Sequence, residues 1–257
     1  MHNKAIVFYS GGISSFVAAK FAVERFGKDN VELLFTDTKT EDEDLYRFLR
    51  EGAEALGAKL TILADGRDLW QLFNDIRFVA NSRLDPCSRI LKRELARKYI
   101  TKTADTSTLL VFGIDEFEAH RAAAISKNYE PYQCWYPLIE KVMGHSEKVE
   151  VLTKMGIRPP RLYTLGFAHN NCGGFCVKAG QAHFAHLYRT MPERYEYHAR
   201  KEREIIASGV NHKGIIRATV NGKRMYMTLD DFKRHIEANM FEAHDVRGCG
   251  CFTEIEE

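Results

Sequence analysis

The sequence predicts an α/β protein whose parallel sheet carries helices on both faces, followed by a smaller C-terminal α+β region. Apolar, β-rich runs at 5–9, 31–36, 60–63 and 109–114 alternate with helical patterns. A helix between successive strands favours parallel pairing through right-handed crossovers. The chain of 257 residues, 45% hydrophobic and 28% charged, is long enough to bury a full core.

A glycine turn links the first strand to the first helix. The turn 10–15 follows the apolar run 5–9 and precedes the mostly apolar helical stretch 16–26. Gly11 and Gly12 allow a sharp turn and a close approach of the backbone to a ligand. A strand, a glycine turn and a helix N-terminus together present N–H groups and a helix dipole to an anion. We therefore predict that a phosphate chain is bound by Ser10, Gly11, Gly12, Ile13, Ser14 and Ser15.

The second strand, 31–36, ends in Asp37. Because ligands bind at the carboxyl ends of parallel strands, we expect Asp37 to hold a ribose hydroxyl or a magnesium ion, with a plain loop residue as the alternative. Thr40 and Glu43 form a capping-box pattern that predicts the start of the second helix. We interpret the acids of this segment as helix caps rather than metal ligands. The third helix is predicted at 68–78.

The most basic part of the chain is the stretch 77–102, in which eight Lys and Arg residues accompany two acids. It contains Cys87, and Pro86 suits the first turn of a helix that begins near this cysteine. A helix N-terminus with nearby cations lowers a thiol pKa or favours a bound anion. The alternative is a solvated basic helix with one structural cysteine.

A proline pair at 159–160 predicts a boundary between a main domain, 1–158, and a cysteine-containing C-terminal region, 159–257. The C-terminal region has a long helical pattern, 179–206, which Pro192 interrupts. The dipeptide at 221–222, Asn-Gly, predicts a β-hairpin. A final helix is predicted to follow the hairpin.

Six cysteines favour metal, cluster or redox chemistry over disulfides in a chain that we expect to be cytoplasmic. Cys172 and Cys176 enclose two glycines and are suited to wrap a metal or a cluster, although their spacing does not single out zinc. Cys249 and Cys251 lie near the end of the sequence, and Cys134 is interpreted as an ordinary packed cysteine.

The composition indicates no membrane or secretory function. No apolar run is long enough to span a membrane, and the first residues show no signal-peptide pattern. The net charge of +2 gives no overall attraction to nucleic acid or to a membrane surface. We therefore expect a cytoplasmic protein with no membrane partner.

These motifs resemble, in the same order, those of the PP-loop adenine-nucleotide α-hydrolase superfamily, and in particular its phosphoadenosine phosphosulfate (PAPS) reductase-like branch. The turn 10–15 is similar to the PP-loop pattern SGGxDS, with Ser14 where the family has Asp. The segment that starts at Cys87 resembles the Cys-x-Arg/Lys-x-x-Lys element of the branch, so the resemblance implies nucleotide binding by Arg89 and Lys92.

The later motifs extend the resemblance toward the C-terminal region. The strand end at Gly113 resembles a pattern that contacts the anionic part of the nucleotide, and Arg121 matches its closing Arg, whereas Asp115 stands where an Arg is common. The stretch that ends at Cys176 resembles the cysteine motif that holds an iron–sulfur cluster in this branch and in related DNA-phosphorothioation enzymes. Its spacing differs from theirs by one residue.

The resemblance implies an enzyme that binds ATP with Mg²⁺, releases pyrophosphate and adenylates an acceptor for sulfur transfer. The acceptor is expected to be a nucleic acid or a small molecule on the basic stretch 77–102, and the sulfur to come from a cluster, a persulfide or a sulfur donor protein. Two alternatives remain open: a thiol-dependent PAPS or APS reductase, and a non-catalytic nucleotide-binding subunit of a modification complex.

The resemblance also assigns roles to individual residues. The implied catalytic residues are Ser10, Ser15, Arg121 and Cys251. Beside the six residues of the turn, the implied nucleotide-binding residues are Asp37, Arg89, Lys92 and Gly113. The implied ligands of a [4Fe–4S] cluster, with zinc as a weaker candidate, are Cys87, Cys172, Cys176 and Cys249. For the tail, Cys249 or Cys251 is either the fourth cluster ligand or a mobile nucleophile.

Overall fold

A five-stranded parallel sheet forms the centre of the protein in this computed structural model, which describes residues 2–81, 84–220, 223–238 and 240. The strands are β1 (Lys4–Phe8), β2 (Val31–Asp37), β3 (Lys59–Ala64), β4 (Thr108–Phe112) and β5 (Gln133–Trp135). Their order is β3-β2-β1-β4-β5, and every pairing in this sheet is parallel. The sheet class and the first four strands are confirmed, whereas β5 was not predicted because it has only three residues.

Helices cover both faces of this sheet, as predicted. The helices are α1 (Ile13–Phe26), α2 (Glu43–Leu56), α3 (Leu69–Asp75), α4 (Pro86–Ser88), α5 (Leu95–Thr103), α6 (Ala122–Asn128), α7 (Pro137–Lys141), α8 (His145–Lys154), α9 (Arg161–Thr164), α10 (Gln181–Thr190), α11 (Pro192–Ala207) and α12 (Leu229–Glu237). Successive side chains of a strand point to opposite faces. Ala5 and Val7 therefore pack with residues of α1 and α2, whereas Ile6 and Phe8 pack with residues of α5 and α6.

The helix caps explain where two predicted boundaries were wrong. The N-cap of α2 is Asp42, whose carboxylate accepts the backbone N–H of Asp44 at 3.0 Å, and the Thr40 hydroxyl instead donates to the Thr38 carbonyl at 3.2 Å. Helix α3 begins with a capping box at Asp68 but ends at residue 75 rather than 78. A residue with a left-handed backbone, at position 77, follows its end.

A single helical run, residues 86–103, carries most of the basic stretch 77–102. Pro86 is the first residue of α4, as predicted, and a π-helix, Arg89–Glu94, joins α4 to α5. This run buries Lys92 and Arg93, which are 6% and 7% exposed. Two of the cations that the sequence assigns to this basic surface therefore lie inside the protein.

The C-terminal region is an α+β unit whose hydrophobic core also includes residues of α3. Pro192 begins α11, the strands β6 (Ile216–Val220) and β7 (Lys223–Met227) form the predicted antiparallel hairpin, and α12 follows it. Leu69, Trp70 and Phe73 of α3 belong to the same hydrophobic core as α10, α11 and α12. The division near residue 158 stays a prediction. No helix in the described part of the chain is long and apolar enough to cross a membrane.

Candidate functional site

The glycine turn has the geometry of an anion-binding loop. Gly12 is the extended N-cap of α1, and Gly11 has a φ of 79°, in the region that glycine adopts without strain. A Cβ atom built on Gly11 would lie 2.8 Å from Cγ of Leu45, so a larger residue does not fit. The Ser15 hydroxyl donates to the Gly12 carbonyl at 2.8 Å and holds the turn closed. The N-terminus of α1 thus opens directly onto the ends of the strands.

A pocket of about 150 Å³ lies at the carboxyl ends of β1, β2 and β4. Its lining includes seven of the residues that the sequence predicted, namely Ser10, Gly12, Ser14, Ser15, Lys92, Gly113 and Arg121. The chain passes from β1 to β2 on one side and returns to β4 on the other side of β1. This is the switch in strand order where open α/β sheets bind their ligands.

The remaining residues of the turn contribute to the pocket without lining it. The side chain of Ile13 is buried in the core beside α1, so only its backbone belongs to the turn. The Gly11 carbonyl accepts a hydrogen bond from Nδ2 of the buried Asn170 at 2.7 Å. Both residues therefore fix the shape of the loop.

Two cations line the pocket. Lys92, on the π-helix, is 6% exposed, and its Nζ lies 3.7 Å from Oε1 of the buried Glu41. Arg121 pairs with Glu118, which also lines the pocket. A buried ammonium and a guanidinium opposite a helix N-terminus suit a polyanionic ligand such as a phosphate chain.

Two of the predicted nucleotide-binding residues lie elsewhere. Both carboxylate oxygens of Asp37 are engaged: Oδ1 accepts from the Lys39 N–H at 2.8 Å and from the Tyr46 hydroxyl at 2.7 Å, and Oδ2 accepts from Lys39 Nζ at 2.8 Å. These hydrogen bonds from Lys39 and Tyr46 lower the pKa of Asp37 although burial opposes them. Arg89 pairs with Glu94 at 2.5 Å on the surface. The structure brings neither side chain to the pocket.

Three residues of the site were not predicted from the sequence. Asn170 and Tyr163 come from the C-terminal region and line the pocket. A Cβ atom on Gly12 would lie 3.1 Å from the Tyr163 hydroxyl, and burial raises the pKa of this phenol. Lys148 of α8 is 5% exposed and donates to Ser14 Oγ at 3.2 Å and to Asp115 Oδ2 at 2.9 Å. These three residues lie far in sequence from the loop that they contact. No local sequence pattern therefore identifies them as part of the site.

Three of the cysteines predicted as ligands line a second cavity, of about 30 Å³, which we call the cysteine cavity. They are Cys87, Cys172 and Cys176. Lys92 and Lys178 also line it, and Lys178 Nζ pairs with the buried Asp85 at 2.9 Å. Lys92 lines both this cavity and the pocket above the strand ends. The two compartments are therefore neighbours on either side of one lysine side chain.

A left-handed backbone shapes the cysteine loop. Cys172, Gly173 and Gly174 all have φ between 50° and 79°, and they form a 3₁₀ turn rather than an α-helix. The Cys172 N–H donates to Oε2 of Glu41 at 2.5 Å. A Cβ atom on Gly173 would lie 1.7 Å from Nη2 of Arg194, which explains why glycine stands there. The two glycines between the cysteines thus serve a tight turn that packs on α11.

Two histidines of α10 contact the cysteine loop and the segment before it. His183 Nε2 lies 2.7 Å from the Gly174 carbonyl, and His186 Nε2 lies 2.7 Å from the Leu165 carbonyl. Burial lowers the pKa of His183, so the neutral ring that donates to this carbonyl is favoured at neutral pH. His183 therefore positions the cysteine loop and His186 the segment before it, and neither belongs to a metal-ligand group among the described residues.

The described residues do not fit a four-iron cluster. Within residues 2–81, 84–220, 223–238 and 240, no group of three or more His, Cys, Asp or Glu side chains is arranged to hold a metal ion. A cavity of about 30 Å³ accommodates roughly one water-sized group. Cys249 and Cys251 lie outside the described residues. We therefore derive no chemical step through a cluster or a metal.

Comparison with known proteins agrees with this geometry. The model of the phosphoadenosine phosphosulfate reductase domain family matches residues 4–168, which is more than half of the chain. The chain belongs to this family. The match spans the five-stranded sheet, the PP-loop and most of the pocket lining, and it ends just before the cysteine loop.

Solved structures show distant similarity. The PAPS reductase of Candida auris, in a phosphate complex, is 15% identical with a TM-score of 0.47, and the match covers 66% of this chain and 81% of that chain. The NH3-dependent NAD synthetase of Campylobacter jejuni subsp. jejuni NCTC 11168, in complex with a nitrate ion, is 14% identical with a TM-score of 0.43, and the match covers 81% and 88%. A search of curated proteins found no match.

Proposed function

We propose that this chain is a nucleotide-dependent sulfur-transfer enzyme that binds ATP in the PP-loop pocket and carries sulfur on a cysteine of the neighbouring cavity. The observation that carries the proposal is the position of Lys92, which lines both compartments. Because the same side chain borders both compartments, a phosphate chain in the pocket and a sulfur group in the cavity would lie close together. Membership of a nucleotide-utilising family supports the first half of this proposal.

The loop and the two cations supply the electrostatic part of the reaction. The backbone N–H groups at the start of α1 and the hydroxyl of Ser10 bind the β- and γ-phosphates. Lys92 and Arg121 neutralise the charge that develops on the departing pyrophosphate. The Ser15 hydroxyl, which donates within the loop, keeps this arrangement in place.

Two bond exchanges follow from this arrangement. An acceptor oxygen attacks the α-phosphorus of ATP, the bond from that phosphorus to the pyrophosphate oxygen breaks, and an adenylated acceptor remains. The outer sulfur of a cysteine persulfide then attacks the acceptor carbon, and AMP leaves with the oxygen. The acceptor is now joined to the enzyme through a disulfide.

The presence of three thiols in one cavity supports the release step. A second cysteine thiolate attacks the enzyme-bound sulfur of that disulfide, which frees the thiolated acceptor and leaves a cysteine–cysteine disulfide. An external dithiol reduces this disulfide. A donor persulfide then transfers its outer sulfur to the cysteine thiolate and leaves as a thiolate, which restores the enzyme persulfide. Cys172 and Cys176, on one short loop, are our candidates for the pair.

The second candidate function is a thiol-dependent PAPS reductase, which the family description favours. In this reaction a cysteine thiolate attacks the sulfonate sulfur of PAPS, and adenosine 3′,5′-bisphosphate leaves. A second thiolate then attacks the cysteine sulfur of the S-sulfocysteine, forms a disulfide and releases sulfite. The same pocket, cavity and lysine serve both reactions, so the nucleotide distinguishes them.

Product analysis tests the proposal. The reduced protein is incubated with ATP or with PAPS, Mg²⁺ and a dithiol, and the products are separated by ion-exchange chromatography. We expect AMP and pyrophosphate from ATP, with water as the slow acceptor, and their loss in Ser10→Ala and Gly12→Ala. Release of sulfite and adenosine bisphosphate from PAPS would establish the second candidate instead. Binding of ATP without any turnover would support a non-catalytic nucleotide-binding subunit.

A further inference from the structure

The C-terminal hairpin carries a third concave site, which no part of the proposed reaction uses. This hairpin groove has a volume of about 410 Å³ and lies between the hairpin, the loop after α11 and the segment after α3. Its size is within the range of sites that hold one small ligand. Phe78 and Tyr226 line it and are 36% and 41% exposed. Exposed aromatic rings in a concave site are suited to stack on a planar ligand.

Cations accompany these rings. Arg217 of β6 is the direct cross-strand partner of Tyr226 of β7, so both side chains lie on the same face of the hairpin. Ile216 and Ala218, which alternate with Arg217, are buried on the opposite face. Lys213 Nζ lies 5.6 Å from the centre of the Tyr226 ring. The hairpin therefore presents a ring and two positive charges together.

No acid is among the described residues that line the groove. Lys213 and Arg217 are the charged residues among the described residues that line it. The cavity at the amino ends of β1, β2 and β3 is different, because its Lys4, Lys28 and Lys59 are accompanied by acidic residues. The hairpin groove is therefore complementary to an anion that also carries a flat, apolar surface.

We propose that the hairpin groove binds one nucleotide of a single-stranded nucleic acid. Single-strand binding sites combine aromatic rings, on which bases stack, with Lys and Arg residues that contact the phosphates. One ring with two cations beside it matches a base and the two phosphates that flank it. Base pairing and stacking in a duplex would withhold the base, so the groove selects a single strand.

The groove is also next to the cysteine cavity. Val177 lines both sites, and it follows Cys176 directly in the sequence. A nucleotide in the groove would therefore lie beside the thiols. This placement indicates that the bound nucleic acid is the acceptor in the sulfur transfer. Its role as acceptor rests on the proposed function, whereas the binding itself does not.

Fluorescence anisotropy tests the binding. The probe is a fluorescein-labelled single strand of about twelve nucleotides, as DNA and as RNA, titrated with the full chain at salt concentrations between about 50 and 200 mM. We expect Tyr226→Leu to weaken binding by roughly 5- to 100-fold through lost stacking. We expect Arg217→Gln to weaken it and to reduce the slope of log K against log salt by about one.

Matched controls decide between base binding and general charge attraction. Arg200 of α11 is also an exposed arginine beside an aromatic ring, Tyr197, but it does not line the groove. Arg200→Gln should bind the probe like the wild type. The inference is overturned if wild type and Tyr226→Leu bind alike, if an abasic or double-stranded probe binds equally well, or if Arg200→Gln weakens binding as much as Arg217→Gln.

ATP titration of the same variants separates this inference from the proposed function. Tyr226→Leu should bind ATP like the wild type, which also shows that it is folded. If the wild type binds the single-stranded probe but consumes neither ATP nor PAPS, the groove assignment stands and the proposed reaction fails. If nucleotides are consumed and the strand does not bind, the groove assignment fails alone.

Discussion

Gly113, at the end of β4, lies directly against Ser15 of the PP-loop. A Cβ atom built on Gly113 would be 2.6 Å from Cα of Ser15 and 2.7 Å from its backbone nitrogen. Real Cβ atoms do not approach backbone atoms so closely, and the backbone of α1 has no flexible end that could move aside. The end of β4 therefore sets the position of the phosphate-binding loop that follows β1, its neighbour at the switch in strand order.

Gly113→Ala should displace the loop. Because the new methyl group meets backbone, we expect a loss of about 1–3 kcal/mol in the free energy of unfolding and at least roughly tenfold weaker ATP binding. Chemical denaturation and isothermal titration calorimetry measure the two effects. Gly144→Ala is the control, since its φ is −67° and its Cβ would meet only a flexible carboxylate at 3.4 Å. Equal ATP affinity in both variants would contradict the close contact as a determinant of the site.

Lys148 should support the PP-loop through Ser14. Lys148→Met leaves the partly buried Asp115 without its ion pair, at 2.9 Å, and removes the donor to Ser14 Oγ. We expect a loss of about 1–3 kcal/mol in unfolding free energy, because one partner of a mostly buried pair remains, together with weaker ATP binding. Lys154→Met, on the exposed face of the same helix, should change both quantities little. A larger loss of stability and of ATP affinity in Lys154→Met than in Lys148→Met would contradict this role of Lys148.

Glu202 should make the C-terminal region less stable as the pH rises. It is 1% exposed, it accepts the backbone N–H groups of Ile215 and Leu229, and burial raises its pKa to about 7 from an ordinary 4.5. The folded state therefore holds the proton more tightly than the unfolded state. Its stabilising contribution is complete below pH 4.5 and is lost as the pH rises through about 7.

Urea denaturation at several pH values measures this effect. Between pH 5 and pH 8 we expect the unfolding free energy of the wild type to fall relative to that of Glu202→Gln, by roughly 3 kcal/mol at most. Glu202→Gln has no charge to bury and should show a flatter profile. Glu204→Gln, an exposed change on the same helix, should keep the wild-type slope. Parallel profiles for wild type and Glu202→Gln would rule out Glu202 as the cause.

ATP should protect the cysteine cavity from alkylation. Lys92 lines both compartments, so a nucleotide that engages its ammonium restricts the movement that exposes the thiols. We expect slower iodoacetamide labelling of Cys172 and Cys176 with ATP present, followed peptide by peptide by mass spectrometry. Cys134, on β5 and outside both linings, is the internal control. Identical labelling rates with and without ATP would separate the two compartments functionally.

The sequence predicted the parts of the site that are local in the chain. The strand–turn–helix at residues 4–26 was predicted from apolar runs and two glycines, and the start of α4 from Pro86. Each signal lies within a few residues of the structure that it specifies. The hairpin was predicted in the same way from its Asn-Gly turn.

Contacts across the fold were not predictable. Asn170 reaches Gly11 and Lys148 reaches Ser14 from elements more than 130 residues away in sequence. The basic stretch was interpreted as a surface, but the π-helix turns Lys92 inward toward Glu41. A periodicity in sequence identifies which side chains share a face, and only the packed structure shows what that face contacts.

Calorimetric titration of ATP and PAPS into the wild-type protein tests the central claim most directly. The account predicts binding of at least one of these nucleotides, roughly tenfold or more weaker in both Lys92→Gln and Arg121→Gln, since each variant removes a cation from the pocket. Lys154→Gln should bind like the wild type. Absence of binding to either nucleotide, or wild-type affinity in both pocket variants, would contradict the claim that this pocket is the nucleotide site.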